Sequence, residues 1–128
     1  MTDAVDQTLH VWRTTEFVWG QSDCILSGAD HVMRVTGIDP AHHWRGQYDT
    51  EEAACAALSA VGGIIAAIDS VGALTRSEVP QRGDIVAVRI GEQHVTGLHT
   101  GEGVAFRLER GVKEIDAGIL NIEASWRI

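Results

Sequence analysis

Up to Val71 the apolar residues of this chain recur in steps of three and four, and from Ile85 onward they follow an extended period. Val5, Leu9 and Trp12 fall on one face of a helix predicted over residues 3–13. A connector over 14–23 carries Phe17 and Trp19 and then Gly20, where the backbone is free to turn sharply. After Cys24, the stripe Ile25, Ala29, Val32 and Met33 predicts a second helix, with Gly37 placed to end it. Ser22 or Asp23 stands where a side chain can accept from a free N–H of the first turn. Residues 38–48 read as a solvated polar loop holding His42, His43 and Trp44. Thr50 caps a third helix with Glu51 and Glu52 in its positive first turn and the Gly62, Gly63 pair at its end. Ile64, Ile65, Ile68 and Val71 then face inward from one or two further turns, and residues 74–84 form a loop.

Five strands follow: IVAVRI, HVTGLHT, VAFRL, VKEI and a closing strand over 123–128, separated by glycine-bearing turns. Helices first and an antiparallel meander afterwards predict an α+β fold, with the helices segregated to one side of the sheet. In HVTGLHT, His94 shares a face with Thr96 and Leu98, while His99 lies on the other face with Val95 and Gly97.

The length of 128 residues accommodates one domain with an ordinary core. Ten basic against eighteen acidic side chains leave a net charge of −8, which argues against a nucleic-acid groove. No apolar run is long enough for a membrane span, so no membrane insertion is expected, and MTDAVDQTLHVW lacks the pattern of a secretory signal. Order at the chain ends, Met1 and Ile128, is expected to mark contacts with partners.

The candidate chemistry lies at Cys24. A thiol in the first turn of a helix meets the partial positive charge of unpaired N–H groups, and its pKa falls, making it a nucleophile; the alternative is a buried, inert cysteine. Cys55, among alanines, reads as a small packing residue, and the two cysteines as separate free thiols. A thiolate needs a base and a group that orients it. His94 is the first candidate base and His99 the second, while Asp23 either orients the base or caps the helix. Asp30 and His31 are expected to face solvent or the 38–48 loop. Adjacent His42 and His43 point different ways, so neither a metal nor any other cofactor is implied.

The ordered series FVWGQSDC, TGIDP, RGQY, GDIVAV, GLHTGEGVAF and SWRI resembles a family of short phage and prophage tail-associated proteins similar to NlpC-type papain-like cysteine peptidases. The resemblance spans nearly the whole chain. It implies a papain-like fold over 1–128, with Cys24 as nucleophile, Asp23 as the acidic residue before it, and Trp19, Gln21 and Ser22 lining a cleft for a peptidoglycan stem peptide. It further implies a place at the virion tail tip, among other tail-tip or hub proteins. Peptidases of this type carry a histidine two residues before the strand glycine; here Val95 precedes Gly97 by two, with His94 one residue early and His99 two residues late. A one-residue bulge would restore His94. Two functions are thereby implied: a stem-peptide hydrolase, or a catalytically degenerate structural component of the tail tip.

Overall fold

The structure, a computed structural model, describes residues 2–128, so the expectation for Met1 lies outside the described residues. Four helices precede the main sheet: α1 (Ala4–Thr14), α2 (Cys24–Thr36), α3 (Glu51–Ala60) and α4 (Ile64–Asp69). The strands are β1 (Thr75–Arg76), β2 (Ile85–Ile90), β3 (Gln93–His99), β4 (Gly103–Leu108), β5 (Gly111–Asp116) and β6 (Asn121–Arg127), with a 3-10 turn at Ala117–Ile119. They form one antiparallel sheet in the order β1-β6-β2-β3-β4-β5. The α+β class and the segregation of helices and strands agree with the sequence pattern.

Three local expectations are corrected. The loop predicted over 74–84 contains β1, because Thr75 and Arg76 find partners in Arg127 and Trp126 of the returning last strand. That strand begins at Asn121 and inserts beside β2, closing what the sequence alone presents as a simple meander. Residues 38–48 are not wholly solvated: Ala41 and Tyr48 are buried with Leu26, Ala29 and Ala54 in a small core between α2 and α3, although His42 and His43 are exposed.

The sheet has two buried faces. On the helix side, Val5, Leu9 and Trp12 of α1 and Val32 of α2 pack on Ile85, Ala87, Leu98, Ala105, Ala124 and Trp126. On the other side, Val86, Val88, Val104 and Phe106 are covered by Ala117, Leu120 and Ile122 as the chain folds back after β5. Alternation along β3 therefore places Thr96 beside Leu98 on the helix face. The α2 stripe is rotated from the predicted one, and Met33 is 40% exposed. The helix is covered on two sides, by the sheet at Val32 and by the 38–48 loop and α3 at Leu26 and Ala29, so a single stripe does not describe it. Cys55, expected to pack, is exposed on α3.

Candidate functional site

Asp23, wholly buried, is the N-cap of α2. Its Oδ1 accepts from the N–H groups of Ile25 and Leu26, both at 3.0 Å, and its Oδ2 accepts from Gly20 N–H at 2.9 Å and from the Tyr48 hydroxyl at 2.8 Å. Gly46 N–H donates to the Gly20 carbonyl at 2.9 Å. Gly20 has φ +83°, and a Cβ there would stand 1.9 Å from the Tyr48 carbonyl oxygen, so only glycine fits. Arg45 completes the assembly, its Nε donating to Asp39 and its Nη2 to Asp30, each at 2.7 Å. Gly20, Asp23, Asp39, Arg45, Gly46 and Tyr48, drawn from WGQSDC, TGIDP and RGQY, thus form one hydrogen-bonded clamp around the start of α2. Asp23 is engaged at both oxygens by the clamp, and the role of orienting a base does not fall to it.

Cys24, half-buried, opens on a cavity of about 80 Å³ beneath α1, α2 and α4, walled by Trp12, Trp44, Ile68, Ile85 and Thr96 among others. Burial, and then the negative charge of Asp23, push the Cys24 thiol up to about 11. This corrects the expectation of an activated thiolate: desolvation outweighs the helix-start N–H groups, which act in the opposite direction. Among the described residues, no histidine lines the cavity; from β3 it receives Thr96 and Gly97.

The two candidate bases are engaged elsewhere. His94 lies on the same sheet face as Thr96 but further along the strand, where its Nε2 pairs with the Glu123 carboxylate, which Arg89 also binds. The β2–β3 register runs unbroken from Ile85↔Leu98 to Ile90↔Gln93, so the bulge that would move His94 is absent; the sheet's irregularity lies instead between β2 and β6, at Ala87/Val88. His99 is buried on the opposite face, where its Nδ1 accepts from Gly101 N–H at 3.1 Å and burial lowers its pKa.

The expected cleft residues are also apart. Trp19 packs with the Leu26–Tyr48 cluster and stacks edge-on against Phe17, leaving Trp44 to line the cavity. Gln21 is exposed, and the Ser22 hydroxyl is held by the Glu16 carbonyl and the Val18 N–H. Asp30 meets the loop through Arg45 as expected, whereas His31, expected at the surface, is buried against α1. Its Nδ1 lies 2.7 Å from the Thr8 hydroxyl, which accepts from Arg34 Nη1 at 2.6 Å.

Sequence reasoning did not find Thr96 or Arg107. The Arg107 guanidinium, 3% exposed, donates to the carbonyls of Trp12 and Thr15, both at 2.6 Å, and so satisfies the C-terminal end of α1 and fixes Trp12. A lone arginine within a hydrophobic strand is the signal that marks it. Among the described residues, no group of three or more His, Cys, Asp or Glu side chains could hold a metal ion, and no helix is long and apolar enough to cross a membrane.

Fold and site together define an α+β domain with a cysteine thiol at a helix start, facing an apolar cavity. The sequence profile of DUF6950, a domain of unknown function, matches residues 1–128, and the chain belongs to that family. Comparisons with curated proteins and with solved structures found no match.

Proposed function

We propose that the protein is a non-hydrolytic variant of the papain-like NlpC-type fold that serves as a structural component of a phage tail tip or hub, binding neighbouring tail proteins. The observation that carries the non-hydrolytic part is the surroundings of Cys24: a thiol with Thr96 and Gly97, not an imidazole, across the cavity. Burial, with the Asp23 charge beside it, favours the neutral thiol at neutral pH. A nucleophile in that state lacks both its charge and the base that would supply it. The tail setting is supported by the resemblance of WGQSDC, TGIDP and RGQY, whose residues the clamp consumes in architecture. Met33, Val35 and Ile38, each at least 40% exposed, offer neighbours an apolar surface at the end of α2.

Two measurements test the two parts. Purified protein incubated with peptidoglycan is expected to release no more stem peptide than its Cys24→Ala variant, and Cys24 alkylation in a Cys55→Ala background is expected to rise with pH toward a midpoint near 11, indifferent to His94→Ala. Hydrolysis abolished by Cys24→Ala, with a midpoint below the ordinary thiol value of about 8.5, would establish the peptidase instead. Tail particles bearing an epitope-tagged copy should carry the tag at their tip; tag recovered only in the soluble lysate would sink the structural assignment.

A further inference from the structure

We propose that the cavity between α1, α2, α4 and the sheet is a binding site for a small neutral molecule with a short aliphatic body and one carbonyl oxygen, held by the Trp12 indole N–H and the Thr96 hydroxyl. The inference does not depend on the tail assignment. It starts from two buried polar atoms: Trp12 Nε1 and Thr96 Oγ1 have no hydrogen-bond partner, yet their residues are 3% and 7% exposed and both line this cavity. Buried donors are satisfied in the great majority of cases, and each one left unpaired is costly, so a pair of them at one void points to an acceptor that belongs there. Trp12 is not free to turn away, because its ring is packed in the core.

The rest of the lining decides what carries the acceptor. Ile25, Ala29, Val32, Leu58, Ile64 and Val71 present hydrocarbon, and no charged side chain reaches the cavity. A carboxylate would be desolvated there without a counter-charge, which excludes anions. Water entering from the open side finds few partners on the walls, which offer little beyond these two side chains and the thiol, where each molecule wants two to four. A branched chain of about four carbons ending in an amide or ketone fills the void and gives its oxygen to both donors. The space is not closed, so a molecule with six non-hydrogen atoms need not lie wholly within its 80 Å³.

Isobutyramide is the probe, titrated to tens of millimolar into the full chain and followed by the indole ¹⁵N–¹H resonances, that of Trp12 being assigned by its absence in Trp12→Phe. A saturable shift of the Trp12 indole is expected. It should weaken about tenfold in Thr96→Val, which keeps the side-chain shape and removes the hydroxyl, and vanish in Ala67→Leu, which fills the cavity from α4. Isobutyrate should not compete. Folding of each variant is read from the dispersion of the same spectra. Were the indole unmoved by isobutyramide in the well-dispersed wild-type spectrum, or its N–H to show persistent water cross-relaxation at saturating probe, the site would be a hydration pocket and the proposal overturned. Equal binding by Thr96→Val would also overturn it, since the recognising group would then be wrong.

Discussion

Replacing Asp23 with alanine is expected to cost about 3–5 kcal/mol of stability, enough to leave a marginally stable domain largely unfolded. The magnitude follows from the number of groups the carboxylate satisfies. Four donors converge on it, three of them backbone N–H groups and one the Tyr48 hydroxyl, in a place with no access to water. An N-cap alone contributes about 1 kcal/mol, and each further buried donor left without an acceptor adds a penalty of about 1–3 kcal/mol. Tyr48→Phe removes one donor together with its need for a partner, so its loss should be smaller, about 1–2 kcal/mol. The double variant should cost less than the sum, because the two side chains share one interaction. Urea unfolding with an unchanged slope reads these differences as shifts in midpoint. A loss under about 1 kcal/mol for Asp23→Ala would mean that water reaches the cap and that the clamp does not hold α2.

The clamp also explains which parts of the site could be read from the chain and which could not. A cap at Ser22 or Asp23, a turn at Gly20 and a helix end at Gly37 are local, set by residues within a few positions; the structure settles the cap on Asp23 and has both glycines at positive φ. The burial of the 38–48 loop is different. Its charges are satisfied by one another across the fold, Arg45 with Asp30 and Asp39, so polar residues that look solvated in sequence serve an internal network. His31 was misplaced for the same reason, since its partner Thr8 lies on another helix. The two faces of β3 were legible from the period of two, but which of them meets Cys24, and with which residue, was not: the alternation assigns His94, Thr96 and Leu98 to one face without saying where α2 lies along it. Docking sets that placement, and it puts Cys24 and Thr96 on the walls of one cavity. The pKa of Cys24 was missed through magnitude, because the field of the helix start is a short-range effect and the burial opposing it is visible only in three dimensions.

Acid is expected to unfold the protein partly through His31, by about 3 kcal/mol between pH 6.5 and pH 4. The ring is 1% exposed, and burial, followed by the Arg34 charge, lowers its pKa from 6.5 to about 4; the Gly83 backbone and Asp3 oppose the shift without reversing it. The hydrogen-bond order agrees with a neutral ring. The Thr8 hydroxyl accepts from Arg34 and keeps its own proton free, so it can donate to an unprotonated His31 Nδ1. Protonation would put an N–H where that hydroxyl proton lies. Above pH 6.5 the ring is neutral in both folded and unfolded states, and stability is undiminished. Below it the unfolded chain takes up a proton that the folded protein refuses, so stability declines until about pH 4, where the folded ring is protonated as well. Carboxylates titrate in the same window, and His31→Gln separates their contribution by removing only the imidazole. Between pH 7.5 and pH 4.5 the wild type should lose about 2–3 kcal/mol more than this variant, and the Nδ1 resonance should keep the shift of an unprotonated nitrogen down to the onset of unfolding. Parallel acid profiles for the two proteins, or a ring that titrates near pH 6.5 in the folded state, would show that water enters between α1 and α2 and that the Thr8–His31–Arg34 relay is open.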